Sequence, residues 1–566
     1  MRTEQKSNIK NSIGRLFVVT VAVTVQVYWI ALVFFRLTSL SPYLSLLSAA
    51  VGLAVCLMIY GRHTNAAIKI PWIMLILVWP VVGLCLYALM GRRNSTRHMR
   101  DRFERVDKSL AGTLVQDEAV LKALEKEDLG RANLFRYLWK NPGYPVYDDT
   151  DVTFYPEASE GFEAQLEDLK RAKRFIFMEY YAIEEASAFA RLKKVLADKV
   201  QEGVEVRVFY DDIGSISFIN TDFIRRMEAI GVQCRVFNPI VPILNVFMNN
   251  RDHRKFTVID GKIGYTGGYN LADEYFNITH PYGYWKDSGV RLEGGAVRSL
   301  TVMFLEMWNS REQTDDYSRY LTNGTEKKTG AAGKEAVSRR DVGAVHGADN
   351  ALRQEAAVRG TDNALRQEAA ARGTDNAPQQ KKTPRGYVAP YSDSPLDLEH
   401  VGENVYMNVV KNARREVWFT TPYLIITDEM KRELELAAKR GVDVRIITPG
   451  IPDKKLVFQV TRSYYAELAA AGVRIYEYTP GFIHAKQCVA DGEVATVGTV
   501  NLDYRSLYLH FEDGVLLSGC PCIVSIRRDF EAVMAVSEEV TEKYRARQKQ
   551  SLLLWQLFLR LLSPLL

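Results

Sequence analysis

The sequence is poor in the residues that would point to a structural metal or a disulfide framework. Six cysteines are scattered along 566 residues, and the pair in "CPC", Cys520 and Cys522, has no second pair to complete a zinc site. We interpret all six as buried thiols, which fits a reducing compartment without requiring one. The net charge is only +5, so the overall charge says little about partners.

The overall composition is that of a folded protein, but one segment is predicted to be disordered. The hydrophobic and charged fractions, 47% and 25%, are ordinary for a folded protein, and the length allows two or more domains. Residues 317–386 differ, because "DNALRQEAAVRG" at Asp349 is repeated as "DNALRQEAAARG" at Asp362 with few large apolar residues. We predict a mobile insert there, a tolerated expansion rather than a docking segment.

Three long apolar runs occupy the N-terminal end, at Leu16–Phe35, Tyr43–Tyr60 and Ile70–Met90. Each is about long enough to cross a hydrocarbon core of about 30 Å. The alternative is a cleaved signal peptide followed by buried core helices, but no small-residue cleavage site follows the first run. We predict a membrane anchor with two to three transmembrane helices in residues 1–95, and a juxtamembrane helical connector in residues 96–145.

Basic residues flank both ends of the predicted anchor, so the positive-inside rule cannot satisfy both clusters. The cluster in "GRRNSTRHMRDRFER", residues 91–105, is the denser one and can also hold anionic headgroups. We therefore predict a multi-pass protein of the cell membrane with a cytoplasmic catalytic portion.

Two stretches of alternating strands and helices follow, and they repeat the same series. "RFIFMEYY", "VEVRVFYDD" and "GVQCRVFNP" are matched in order by "EVWFTTPYL", "VDVRIITPG" and "GVRIYEYTP". An internal duplication explains this series, which predicts two pseudo-symmetric α/β half-domains at residues 146–316 and 387–548. Residues 549–566 form an amphipathic tail that either lies in the membrane interface or packs on the protein.

Each half-domain then carries one copy of a sparse pattern, "HRKFTVID" from His253 and "HAKQCVAD" from His484. If each segment is a strand, His253 and Lys255 project from one face, and so do His484 and Lys486. One such copy has no meaning alone, but two copies with matched surroundings indicate a functional site.

The pattern also places Asp260 and Asp491 among the candidate catalytic residues. Both lie an odd number of residues from the lysines and would point to the other face of a strand. Both are followed by glycine, and "DG" between apolar runs is a hairpin signal. These features favour a role in fixing the fold over a role as a catalytic acid.

Further matched residues follow each copy. Asn270 and Asn501 stand 17 residues after their histidines, and Gly267 and Gly498 stand 14 residues after them. We expect the glycines to let a phosphate approach the backbone, and the amides to bind its oxygens.

Two acidic residues can be aligned beyond these positions. Superposing "WKDSGVRLEG" on "FEDGVLLSG" brings Asp287 onto Glu512. A carboxylate that accepts from one imidazole nitrogen would orient the ring and leave the other nitrogen free. Glu274 is a rival to Asp287 for this role.

Phosphoryl transfer on a diester is the chemistry that suits two histidines, two lysines and two asparagines from matched halves. One imidazole attacks phosphorus while the other protonates the leaving alkoxide. The lysines and asparagines neutralise charge on the non-bridging oxygens. No Asp-rich ligand set accompanies these residues, so we predict no metal and no cofactor.

At this point the sequence resembles the phospholipase D superfamily and, within it, the bacterial cardiolipin synthases. The resemblance rests on "HRKFTVIDGKIGYTGGYN", "FYDDIGS", "TTPYLI", "HAKQCVADGEVATVGTVNLDYRS" and "RLLSPLL". It implies two phospholipase D-like half-domains, each a mixed sheet flanked by helices, that share one active site. It also implies that two phosphatidylglycerol molecules give cardiolipin and glycerol through a phosphatidyl-histidine, with His253 as nucleophile and His484 as acid and base.

The resemblance further implies anionic membrane lipids as partners and no nucleic acid. A nuclease would need an exposed basic groove, and the apolar runs would be unexplained. A decayed membrane scaffold would have lost a histidine or a lysine, and none is lost. Net hydrolysis, or transfer to another alcohol such as ethanolamine, stays open.

Several positions depart from the family pattern or remain ambiguous. Asp252 and His510 stand where asparagine is common, and Thr499 and Val500 stand where serine and a small residue are usual. An acid at 252 is expected to raise the basicity of His253. Two more residues, Glu179 and Tyr423, end corresponding strands and either line the headgroup pocket or belong to the framework.

Overall fold

The structure is a computed structural model. It describes residues 17–18, 20–29, 32, 36, 42–62, 65–91, 97–220, 222–239, 249–312, 315–321, 385–547, 559–561 and 563. The first predicted span, residues 16–35, lies partly outside these ranges. The predicted insert, residues 317–386, and the tail, residues 549–566, lie largely outside them.

The N-terminal helices pack on one another before the catalytic part begins. They are α1 (Pro42–Tyr60), α2 (Ala66–Val78) and α3 (Pro80–Leu86), followed by a π-helical turn at Tyr87–Gly91. The third apolar run is thus divided near Trp79, because Pro80 lacks an N–H and suits the first position of a new helix. No helix in the described part of the chain combines the length and apolar character needed to cross a membrane, and the spans stay a prediction.

Three connecting helices join this region to the sheets: α4 (Arg97–Leu110), α5 (Glu118–Glu127) and α6 (Leu129–Lys140). Asp117 and Asp128 cap α5 and α6 by accepting backbone N–H groups of the first turn. The buried faces of these helices join a core cluster that also contains residues of both half-domains.

The first half-domain is built on a seven-stranded mixed sheet of order β1-β9-β7-β6-β2-β3-β4. The strands β2, β3 and β4 are parallel neighbours, and the other pairings are antiparallel. The strands of this half-domain are β1 (Asp151–Tyr155), β2 (Phe175–Tyr180), β3 (Glu205–Asp211), β4 (Gln233–Phe237), β5 (Arg251–Asp252), β6 (Lys255–Ile259), β7 (Ile263–Gly267), β8 (Tyr284–Lys286) and β9 (Gly289–Glu293). Its helices are α7 (Ala158–Lys170), α8 (Ser187–Gln201), α9 (Asp212–Ser215), α10 (Phe223–Glu228) and α11 (Val297–Asn309), and α12 (Ser318–Leu321) follows.

The second half-domain repeats this plan in the strand order β10-β19-β17-β16-β11-β13-β14-β20. The duplicated sequence segments therefore form equivalent strands, as predicted. The strands are β10 (Tyr387–Asp393), β11 (Glu416–Thr420), β12 (Leu424–Ile425), β13 (Asp443–Pro449), β14 (Arg474–Tyr478), β15 (Gly481–Ile483), β16 (Gln487–Ala490), β17 (Val494–Gly498), β18 (Leu502–Asp503), β19 (His510–Ser518) and β20 (Ser537–Glu539). The helices are α13 (Val401–Asn412), α14 (Asp428–Lys439), α15 (Lys455–Ala471), α16 (Tyr504–Tyr508), α17 (Cys522–Ala535) and α18 (Thr541–Arg547).

Two short strand pairs link the half-domains directly. Strand β5 pairs in parallel with the start of β19, and β8 pairs in parallel with β15. Helix α11 is buried along its whole length, and one continuous core cluster runs from it into the second half-domain. The two half-domains therefore form one body rather than two domains on a linker.

Of the tail, residues 559–561 and 563 are described, and they pack on the protein. Leu559 is buried, and the guanidinium of Arg560 donates to Glu467 Oε1 at 2.8 Å and to Ser463 Oγ at 3.0 Å. This part of the tail follows the packing alternative.

Candidate active site

The two His-x-Lys segments lie between strands, not within one strand as expected. Strand β5 ends just before His253, and β6 begins at Lys255; β15 ends just before His484, and β16 begins just after Lys486. The break arises because the chain changes partner there: β5 and β15 pair with the opposite half-domain, whereas β6 and β16 pair within their own sheet. Each histidine thus stands at the junction of the half-domains.

Each imidazole is oriented by a carboxylate from the opposite half-domain. His253 Nδ1 lies 2.9 Å from both carboxylate oxygens of Glu512. His484 Nδ1 lies 2.7 Å from Oδ2 of Asp287. An N–H at Nδ1 donates to the carboxylate in this geometry, which leaves the lone pair on Nε2. The alignment of Asp287 with Glu512 does not predict that each acid contacts the histidine of the other half-domain, and their orienting role stays a prediction.

The strand pairs between the half-domains produce this crossing. The backbone N–H of His253 donates to the carbonyl of Phe511 at 2.9 Å, next to Glu512. In the same way, the N–H of His484 donates to the carbonyl of Lys286 at 2.8 Å, next to Asp287. The two contacts are related by the pseudo-twofold symmetry of the strand orders.

Glu512 is held by hydroxyl groups that the sequence reasoning missed. Thr499 Oγ1 and Ser506 Oγ each donate to one of its carboxylate oxygens at 2.5 Å. Thr499 was noted only as a departure from the family pattern. The sequence signal for Thr499 is its position two residues before Asn501, a predicted site residue. This position does not show which carboxylate the hydroxyl binds.

The two lysines lie against their own histidines. Lys255 Nζ donates to the carbonyl of His253 at 2.6 Å. Lys486 Nζ donates to the carbonyl of His484 and lies 2.7 and 2.9 Å from its two ring nitrogens. Burial lowers the pKa of Lys255 to about 8 and that of Lys486 to about 7.

The histidines and their carboxylates share one electrostatic environment. Burial and the charge of Lys255 hold the pKa of His253 well below its ordinary value, and the charges of Lys486 and His484 act in the same direction. Burial and the charge of Lys486 lower the pKa of His484 to about 3. Charged groups of the second half-domain therefore act on the histidine of the first.

The two carboxylates differ in their ionisation. Burial raises the pKa of Glu512 well above its ordinary value, although Lys255 opposes the shift. Burial also acts on Asp287, but the charges of His484 and Lys486 outweigh it and lower the pKa of Asp287 below the ordinary value. The carboxylate at His484 is thus the more firmly ionised one.

The two asparagines are engaged by the framework. Asn270 accepts from the N–H of Ala182 at 3.0 Å and donates to the hydroxyl of Tyr275 at 2.8 Å. The backbone N–H of Asn501 donates to Ser506 Oγ at 2.8 Å, and within the described residues its side-chain Oδ1 has no partner. Their substrate-binding role stays a prediction.

The matched glycines serve strand contact, and the expectation that they admit a phosphate is wrong. A Cβ at Gly267 would lie 2.4 Å from the carbonyl oxygen of Ser288, and one at Gly498 would lie 2.4 Å from that of Asp513. These carbonyls belong to the residues that follow Asp287 and Glu512. The glycines therefore let the carboxylate-bearing segments approach the sheet.

Asp260 and Asp491 fix the fold, and their inclusion among the catalytic residues is corrected. Asp260 accepts the backbone N–H groups of residues 173, 174 and 175 at 2.7–3.0 Å, and Asp491 accepts those of residues 414, 415 and 416 at 2.7–3.0 Å. Both residues have positive φ, 54° and 55°. Each stands at the far end of its strand from the histidine and ties a hairpin to the start of β2 or β11.

Replacing Asp260 by Ala should therefore destabilise the protein rather than change its chemistry. We expect the free energy of unfolding to fall by about 2 kcal/mol, because three backbone N–H groups lose the carboxylate that accepts from them and because alanine disfavours positive φ. Urea unfolding measures this loss, with Asp260→Asn as the milder matched variant. A folded Asp260→Ala protein that has lost its turnover without losing stability would contradict the structural role.

The remaining candidates have framework contacts. Glu179 is buried and pairs with Arg254 at 2.8 Å, and Asp252 accepts from Arg254 Nε at 3.1 Å. The hydroxyl of Tyr423 donates to Asp453 at 2.5 Å. Among the described residues, the carboxylate that contacts His484 Nδ1 is that of Asp287 and not that of the rival Glu274.

His510, a departure from the family pattern, lies next to His253. Its ring centre is 5.4 Å from that of His253. Within the described residues, His253, His510 and Glu512 are the one group of at least three His, Cys, Asp or Glu side chains placed to hold a metal ion.

Comparison with known proteins agrees with this architecture. Residues 166–308 and 406–534 match the family described as "Cardiolipin synthase, PLD-like domain". The chain is 39% identical over 497 residues to an uncharacterized protein of Streptococcus mutans. The alignment covers 88% of this chain and 96% of that protein. It is also 31% identical over 529 residues to a protein of Oceanobacillus iheyensis named cardiolipin synthase. That alignment covers 91% of this chain and 97% of the relative.

One solved structure supports the fold. The phosphatidylserine synthase of Haemophilus influenzae superposes with a TM-score of 0.51 at 13% identity, covering 78% of this chain and all of that one. At this identity the likeness concerns the fold alone.

Proposed function

Because the chain belongs to the cardiolipin synthase family of the phospholipase D superfamily, we propose how this phosphatidyltransferase uses its residues to make cardiolipin. It transfers a phosphatidyl group from one phosphatidylglycerol to a second, and glycerol leaves. The observation that carries the mechanism is the crossed pair of imidazole–carboxylate contacts, His253 with Glu512 and His484 with Asp287.

In the first step, Nε2 of His253 attacks the phosphorus of one phosphatidylglycerol. A P–N bond forms and the P–O bond to the glycerol headgroup breaks. His484, which takes up a proton on Nε2 from solvent when the anionic diester binds, gives that proton to the departing alkoxide. Glycerol leaves, and the phosphatidyl group stays on His253. Glu512 keeps the proton of His253 on Nδ1, so the lone pair on Nε2 faces the substrate.

In the second step, a hydroxyl of another phosphatidylglycerol takes the place of glycerol. His484 removes its proton, the alkoxide attacks phosphorus, and the P–N bond breaks. Cardiolipin leaves and both imidazoles return to their starting state. The proton count closes, because His484 recovers from the acceptor the proton that it gave to glycerol.

The lysines prepare the site for an anionic diester. Burial lowers the pKa values of Lys255 and Lys486 to about 8 and 7. A bound phosphate places a negative charge beside these groups and beside His484, which raises all three pKa values. Substrate binding thus supplies the charge that makes the lysines cationic and lets His484 act as an acid.

The difference between the carboxylates supports His484 as the acid and base. The imidazolium that forms on His484 needs an ionised partner, and the pKa of Asp287 is lowered by His484 and Lys486. The pKa of Glu512 is raised by burial, so of the two acids Asp287 is the better partner for a histidine that takes up and releases a proton.

The three apolar runs near the N-terminus support a multi-pass location in the cell membrane, and the dense basic cluster after them supports a catalytic part in the cytoplasm. A bilayer supplies both phosphatidylglycerol substrates, and residues 91–105 carry the basic side chains that would meet anionic headgroups.

An assay with purified full-length protein tests the proposal. The protein is incubated in detergent with labelled phosphatidylglycerol and a metal chelator, and the lipids and free glycerol are measured. We expect cardiolipin and glycerol in equal amounts. Phosphatidic acid as the only product would replace the proposal with hydrolysis. Transfer that begins only when ethanolamine is added would indicate another acceptor.

A further inference from the structure

His510 is a further imidazole next to His253, and the mechanism gives it no task. It is 9% exposed, and its Nδ1 lies 3.6 Å from Oε1 of Glu512. Within the described residues, neither of its ring nitrogens has a hydrogen-bond partner. Buried polar groups are nearly always bonded, so a side chain with two unpaired nitrogens points to a ligand.

We propose that His253, His510 and Glu512 form a binding site for a divalent transition-metal ion such as Zn²⁺, and that the bound ion inhibits the enzyme. Each residue offers one ligand atom, and the three atoms lie within 4.8 Å of one another. Two imidazoles and one carboxylate can serve as three ligands of a zinc ion whose fourth coordination position stays open.

The distances to the carboxylate fit this coordination. Tetrahedral bonds of about 2.0–2.2 Å place two ligand atoms roughly 3.4 Å apart. Oε1 of Glu512 lies 2.9 Å from Nδ1 of His253 and 3.6 Å from Nδ1 of His510. The observed separations lie on either side of the required value, so small side-chain rotations complete the site.

The ligand types select the kind of ion. The site offers two imidazoles and a single carboxylate. Ions held mainly by charge, such as Mg²⁺ and Ca²⁺, are disfavoured there. Ions that form donor bonds with imidazole, such as Zn²⁺, Co²⁺ and Cu²⁺, are favoured.

Binding would stop the reaction at its first step. The ion replaces the Nδ1 proton of His253, which leaves to solvent, and it takes the Glu512 oxygen that had accepted that proton. The ring loses its orientation, and its remaining nitrogen loses electron density to the ion. This inhibition rests on the proposed role of His253 as nucleophile, whereas binding itself does not.

Cobalt absorption tests binding without any activity measurement. Full-length protein is freed of metal with a chelator, exchanged into chelator-free detergent buffer and titrated with Co²⁺, whose visible bands report coordination by nitrogen and oxygen. We expect Zn²⁺ to remove the bands and Mg²⁺ to leave them. Removing one ligand with His510→Asn should weaken Co²⁺ binding at least about ten-fold. The matched control is His280→Asn, because His280 is exposed and lies outside the cluster.

A parallel assay compares the Zn²⁺ concentration that halves phosphatidylglycerol turnover in the same proteins. We expect His510→Asn to need at least about ten-fold more Zn²⁺ than the wild type, and His280→Asn to need the same amount. His510→Gln provides a second variant, and circular dichroism checks that each is folded.

The outcomes separate the site from the mechanism. Equal Co²⁺ affinity in the wild type and both His510 variants would overturn the metal site. Binding that depends on His510, with wild-type turnover unaffected by saturating Zn²⁺, would keep the site and overturn the inhibition. That result would also count against His253 as the nucleophile. If phosphatidylglycerol is not turned over at all, the cobalt titration still decides the site.

Discussion

Replacing either His253 or His484 by Ala is expected to lower turnover at least about 10⁴-fold, since one imidazole forms the P–N bond and the other moves the proton. Neither half-site can take the other's task, because each imidazole is fixed by a carboxylate from the opposite half-domain. The measurement is the rate of cardiolipin formation from labelled phosphatidylglycerol at saturating substrate.

The two losses should be far from additive. The double variant His253→Ala, His484→Ala is expected to be about as inactive as either single variant, as found for residues that act as one unit. His280→Ala, at an exposed position, is the control and should keep full turnover. A single variant that retains a tenth of the wild-type rate would show that its imidazole lies outside the reacting centre.

The second large effect is expected from the carboxylates. Asp287→Asn and Glu512→Gln should each lower turnover on the order of 10³- to 10⁴-fold, because an amide no longer fixes the tautomer or stabilises the imidazolium. Both changes preserve side-chain size, so the protein should stay folded. A near-normal rate in either variant would remove the orienting role of that carboxylate.

The crossing of the half-domains gives this prediction a specific spectroscopic outcome. In protein labelled with ¹⁵N-histidine, Glu512→Gln should change the ring-nitrogen chemical shifts of His253 and leave those of His484 in place. Asp287→Asn should do the reverse. If Glu512→Gln instead changed the ring-nitrogen shifts of His484, the histidine in the same half-domain, the observed pairing would be contradicted.

The sequence predicted the duplicated succession of segments better than it predicted which segments pair across the half-domains. The duplicated segments became equivalent strands, and His253, Lys255, His484 and Lys486 lie at the junction of the half-domains. Alignment shows that Asp287 and Glu512 are equivalent, but equivalence does not say which histidine each acid contacts. That depends on two short strand pairs whose register only the tertiary structure supplies.

Two errors have a common physical cause. The spacing of two between His253 and Lys255 suggested one strand, and the glycines at 267 and 498 suggested a phosphate site. In both places the neighbour that matters is a remote backbone: the opposite half-domain for His253, and the carboxylate-bearing strand for the glycines. Local patterns do not identify a remote backbone. The odd spacing of Asp260, by contrast, correctly favoured a role in the turn.

Trapping the covalent intermediate tests the central claim most directly. A phosphatidyl ester of p-nitrophenol has a leaving group that departs without a proton, so the His484→Ala variant should still complete the first step. We predict one equivalent of nitrophenol per protein and a lasting phosphatidyl adduct, which peptide mass spectrometry after alkaline quench places on His253. An adduct on any other residue, or an active wild-type protein whose folded His484→Ala variant forms no adduct on His253, would contradict the account.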